Sequence, residues 1–165
     1  MKLLLSIICG FLLLVSCHSK KIIESKPDPV PNDVELTVDE PRDSTSILPI
    51  QLDKNVNLTG FQDPYTIVNA EIKDGLLWLQ TSYGGGCREH EFKMVFNGIY
   101  VPRQDQETDV SELVSLKLGH NGNGDACRSI VRQNIRFDLK PLQKEGVNNL
   151  VIRLSNWDSE LVYSY

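Results

Sequence analysis

Positive charge is in short supply in this 165-residue chain: 17 Lys and Arg stand against 22 Asp and Glu, a formal net charge of −5. That balance argues against nucleic acid as a partner and against adhesion to anionic lipid by charge alone. There is no Gly-x-Ser-x-Gly elbow, no phosphate-binding loop and no His-Glu-x-x-His helix, which removes the usual signatures of hydrolases, nucleotide enzymes and metalloproteases. Internal repeats are missing, and no long stretch carries the amphipathic period of a helix. Histidine is held to 3 positions and cysteine to 4. The long apolar run, Leu3 to Val15, is too short to span a bilayer as a mature helix.

That run follows Lys2, and a short positive start before an apolar stretch is the pattern of a secretion signal, here residues 1–16. It ends in Leu14-Val15-Ser16-Cys17, which resembles the lipobox of bacterial lipoproteins. The resemblance implies that Cys17 receives lipid and becomes the new N-terminus, with each buried methylene contributing about 0.8 kcal/mol to membrane anchoring. Losing Lys2 with the signal takes the charge from −5 to −6. Residues 17–48 turn polar, with Pro27, Pro29, Pro31 and Pro41 set among Asp28, Asp33, Glu35, Asp39, Glu40 and Asp43. Proline removes donors and like charges repel, so this stretch is expected to be a flexible, extended tether. Within it Asp43-Ser44-Thr45 resembles a short O-glycosylation acceptor; Asn57-Leu58-Thr59 fits an N-glycosylation triplet that bacteria usually leave idle. After Cys17 there is neither an Asp nor an acidic cluster, so the expected address is the outer membrane, facing the periplasm.

The folded domain is expected over 49–165. Tyr65 to Ile72, the Lys73-Asp74-Gly75 turn and Leu76 to Tyr83 form a hairpin pattern. His90, Phe92, Met94 and Phe96 share one face of the next strand, which the Asn97-Gly98 pair should end. Val114, Leu116, Leu118 and His120 alternate likewise. From Cys127 to Asn134 a helix competes, but Ile130, Val131 and Ile135 favour a strand. Leu150, Ile152 and Leu154 alternate, and Leu161 to Tyr165 closes the chain. About seven short strands separated by turns predict an all-β fold, an antiparallel β-sandwich of Ig-like or jelly-roll-like type.

The chemistry-bearing residues gather in two stretches, Tyr83 to Phe92 and His120 to Cys127, each joining a glycine-rich turn to one Cys and one His. With Cys9 removed and Cys17 lipidated, Cys87 and Cys127 are the two thiols left, and in an oxidising envelope such a pair most often forms a disulfide. The imidazoles would then be partly buried groups bonded to carbonyls, Asp125 or each other. The alternative is a zinc site built from Cys87, His90, His120 and Cys127; its first arm has a familiar spacing and its second is loose. A thiol enzyme would need one cysteine free, an oxyanion site and a cleft, so no catalytic role is expected. Asn121, Asn123 and Asp125 are explained as turn residues without a calcium ion, since no bidentate Glu follows. Arg128, Arg132 and Arg136 fall on one parity and form a candidate face for an anionic glycan or protein, or simply a solvated strand face.

The run from Tyr83 through Cys87 and His90 to Phe92, the His120 to Cys127 turn and the Phe137-Asp138-Leu139 ending resemble NigD-like proteins among small bacterial envelope lipoproteins. The likeness covers roughly residues 60 to 145 and departs at the N-terminus, where the tether leaves little room for the additional small barrel domain of that group. It implies an envelope location and a C-terminal β-sandwich, and a bacteriocin-immunity role only by association. The function expected is therefore a lipid-anchored, non-catalytic module that binds an envelope protein or glycan.

Overall fold

The computed structural model describes residues 41–103 and 111–165. The signal expected at 1–16, the lipidation site Cys17 and most of the tether lie outside them. Eight strands follow in order: β1 (Arg42–Leu52), β2 (Thr66–Lys73), β3 (Leu76–Gly85), β4 (Glu91–Arg103), β5 (Ser111–Asn121), β6 (Ser129–Asp138), β7 (Asn149–Leu154) and β8 (Leu161–Ser164). A short 3-10 turn, Lys140–Leu142, follows β6. Among the described residues no helix is long and apolar enough to cross a membrane.

The strands join in one sheet, ordered β2-β3-β6-β1-β4-β5-β7-β8. β2 and β8 come back into contact, so the sheet nearly closes into a barrel. Alternation explains where the core sits: Leu77, Leu79, Met94, Phe96, Leu116, Ile135, Phe137, Ile152 and Leu154 turn to the inside. Fully burying such a side chain contributes about 1.5–3 kcal/mol, so this interior carries the fold.

Three expectations are corrected. The sheet is not purely antiparallel, because β1 runs parallel to both β6 and β4, and β5 parallel to β7; a two-sheet antiparallel sandwich of seven strands is replaced by eight strands in a mixed, barrel-like sheet. The domain does not start at Pro49, since β1 begins at Arg42, inside the supposed tether. Its polar sequence reads as linker, yet Asp43 accepts from Asn134 Nδ2 and Arg136 Nη2 donates to the Ser44 and Thr45 carbonyls. Nor does Asn97-Gly98 end a strand: β4 continues to Arg103 through a register shift between Phe96 and Tyr100, with Gly98 at φ 80.

β1 changes neighbours along its length. From Arg42 to Pro49 it pairs with β6, and from Ile50 to Leu52 with β4. The Asp53 N–H donates to the Phe96 carbonyl, so stepping back by twos along the parallel ladder sets the Phe92 carbonyl opposite the nitrogen of Pro49. Proline has no N–H to give, and pairing with β4 stops there. The wall is left open between the first halves of β1 and β4.

Candidate functional site

Two turns, Gly86 to Glu89 after β3 and Gly122 to Arg128 after β5, meet at Asp125. Cys87 and Cys127 join them in a disulfide, their Cα atoms 6.0 Å apart. The Asp125 Oδ2 accepts from the N–H groups of Gly86, Cys87 and Arg88 at 2.8, 2.8 and 2.9 Å, and its Oδ1 from that of Cys127 at 2.9 Å. His90 Nε2 lies 3.2 Å from the same Oδ2, and His90 Nδ1 lies 2.8 Å from His120 Nε2. A carboxylate only accepts, so His90 donates to it through Nε2, and its Nδ1 shares a hydrogen bond with His120 Nε2. The result is a chain, Asp125–His90–His120, running into the protein. The His90 and Asp125 side chains are 2% and 1% exposed, and His120 is equally buried.

The rings are stacked as well as bonded. Tyr83 lies on His90 with centroids 4.4 Å apart, and Phe92 on His120 at 4.7 Å. Gly85 is required here, because a Cβ on it would sit 2.6 Å from His90 Nε2 and its φ is +149. The Cys127 N–H, aided by those of Arg88 and Cys87 and by His90, holds the Asp125 carboxyl well below the usual carboxylate range despite the opposing effect of burial. Burial, then the neighbouring His90, pushes His120 below its ordinary value; the nearby Asp63 and Pro64 backbone pulls the other way. That backbone makes no hydrogen bond of good geometry to His120 Nδ1, which is buried without a partner.

The Cys2His2 zinc alternative is corrected by this arrangement. The two sulfurs are bonded to each other, and the group that gathers within 4.8 Å is Cys87, Asp125 and Cys127, without either histidine. What the cluster does chemically is saturate a buried carboxylate with donors and fix two turns. The Asn121 side chain accepts from Asn123 N–H and Asn123 Nδ2 donates to the Glu89 carbonyl, the turn role expected of them.

The arginines do not form one free stripe. Arg128 and Arg132 are exposed, whereas Arg136 braces β1 and lies over the Trp78 ring at 5.1 Å. Two cavities have no counterpart in the sequence reading. One of about 470 Å³ occupies the opening between β1 and β4, lined by Ser44, Ser46, Leu48, Phe92, Gln133 and Ile135, and reaches His90. The signal for it was Pro49 beside inward-facing serines. The other, about 170 Å³ and mostly apolar, lies among Ile50, Leu52, Phe96, Tyr100, Pro141 and Leu142. Leu52, which lines it, is 68% exposed; elsewhere on β4, Ile99 and Val101 are 58% and 48% exposed.

No family model matches the chain, and no curated protein matches it. Among solved structures it is similar to a NigD-like immunity protein from Bacteroides caccae, at 19% identity and a TM-score of 0.49, covering 66% of this chain and 51% of that one. It is also similar to a protein of unknown function, DUF1344, from Bacteroides vulgatus, at 16% identity and a TM-score of 0.47, covering 75% of this chain and 56% of that one. The chain thus spans about half the length of these structures.

Proposed function

We propose that this chain is a lipid-anchored, non-catalytic module of the bacterial envelope, held through Cys17 at the outer membrane facing the periplasm, and that it binds an envelope protein. The observation that carries partner binding is the apolar cleft at the end of β1, with Leu52 exposed at its edge. Exposed apolar area of this kind commonly marks a protein contact. A glycan would be met by more hydrogen-bonding groups than Ile50, Leu52, Phe96, Pro141 and Leu142 offer, so the protein reading is preferred to the glycan one.

The test is in-cell crosslinking followed by purification of the full chain, comparing wild type with Leu52→Glu and Leu52→Lys. Loss of the same crosslinked protein in both variants, with unchanged melting, supports the reading. An identical crosslinking pattern in all three removes it.

A further inference from the structure

We propose that the opening between β1 and β4 is a binding site for a neutral saccharide, one or two sugar rings in length. The cavity there, about 470 Å³, falls within the range of small-ligand pockets, about 300–1,000 Å³. Two kinds of surface meet in it. Leu48, Phe61, Phe92 and Ile135 supply carbon, while Ser44, Ser46, Gln51 and Gln133 supply hydroxyls and amides that both donate and accept. A sugar presents the same mixture, with C–H groups on the faces of its ring and hydroxyls around the edge. His90 adds only ring carbon, because both its nitrogens are engaged with Asp125 and His120.

The charge around the cavity favours a neutral ligand. Its formally charged side chains are Glu91 and Lys93, one of each sign. Lys93 Nζ donates to the Asn57 carbonyl at 3.2 Å, and Asn123 Nδ2 reaches Glu91 Oε1 at 3.5 Å, so each is held by a neighbouring loop. An anion or a cation would be attracted by one and repelled by the other, a conflict that a neutral ligand escapes.

The backbone supplies a fixed pair of groups for such a ligand. The His120 N–H donates to the Phe61 carbonyl and the His120 carbonyl accepts from the Asp63 N–H, so His120 turns its polar groups away from β4. Its partner Phe92 therefore turns its own N–H and carbonyl toward the opening, where they find no ladder partner among the described residues. In an extended residue these two groups point the same way, side by side. Two neighbouring hydroxyls of a sugar ring match them, one accepting from the N–H and the other donating to the carbonyl. Gln133 adds a donor, since its Oε1 accepts from the Tyr83 hydroxyl at 2.5 Å and leaves Nε2 for the ligand. This site is separate from the apolar cleft at Leu52, and the two proposals stand or fall independently.

Titration of the full chain with glucose, N-acetylglucosamine and cellobiose, read by backbone amide NMR, tests it. With at least one of them the Phe92 amide is expected to shift saturably, with a Kd below about 10 mM. Ser46→Trp, which fills the cavity from an exposed position, is expected to abolish the shift with melting unchanged. Gln51→Ala is expected to raise the Kd by about two- to tenfold, the loss of one hydrogen bond. Leu52→Glu, at the other cleft, is expected to leave binding as it is. The absence of a saturable shift with all three sugars overturns the proposal, as does a shift that survives Ser46→Trp, an unchanged Kd in Gln51→Ala, or a shift that glycerol reproduces at equal concentration.

Discussion

Asp125 shows how much one side chain can organise when it sits between two turns. Its oxygens accept four backbone N–H groups and one imidazole, so Asp125→Ala leaves Gly86, Cys87, Arg88 and Cys127 without an acceptor. A larger fall in melting temperature is expected than for any exposed charge, such as Arg132→Ala. The pH dependence follows in two stages. Burial lowers the folded-state pKa of His120 below its ordinary 6.5, so its contribution is complete above that value and is lost as pH falls below it. Asp125 is likewise lowered from 3.8, and its contribution persists to more acidic pH before it too is lost. Melting curves from pH 8 to 4 are expected to fall less steeply below pH 6.5 in His120→Gln; equal slopes would refute the His120 assignment. Gly85→Ala drives a Cβ into His90 and is expected to cost about 1–3 kcal/mol, read by denaturant titration. The partners of this cluster were legible in the sequence, because strict alternation placed His90 and His120 inward at strand ends and left two cysteines in adjoining turns. Their order, Asp125 to His90 to His120, was not, since it depends on ring orientation.

At the level of strands and turns, what periodicity can reveal is local. The β2–β3 hairpin and the strands holding Phe92, Leu118, Ile135 and Ile152 were readable because each buries one face. β1 was hidden: Arg42 to Ser46 has no apolar side chain, and its stability comes from partners about 90 residues away, including Asn134 and Arg136. Asn97-Gly98 misled because the same residues that suit a tight turn also suit a bulge. The disulfide closes a loop with a sequence separation of 40, for which the chain-entropy model gives about 4 kcal/mol. Cys87→Ser with Cys127→Ser is therefore expected to lower stability by about that amount, and intact mass of the wild type should fall by two hydrogens relative to the reduced chain. Full alkylation of the native protein without reductant would contradict the pairing.

For the molecule as a whole, the lipid site proposed at Cys17 and the partner contact proposed at Leu52 are different residues, so each proposal can be tested without the other. Cys17→Ala is expected to move the chain from the membrane pellet to the soluble fraction without changing its melting temperature; retention in the pellet would count against lipid as the anchor. β1 also constrains the order in which the chain can be assembled. Its neighbours among the described residues are the sixth and fourth strands, neither of which has been made when residue 52 leaves the ribosome. The wall can be completed only once Asp138 has emerged. Such non-local pairing makes closure slow, and a nascent chain halted before β6 is expected to be digested readily by added protease. Late closure of this kind makes the segment around β1 the last part of the described fold to gain resistance to protease.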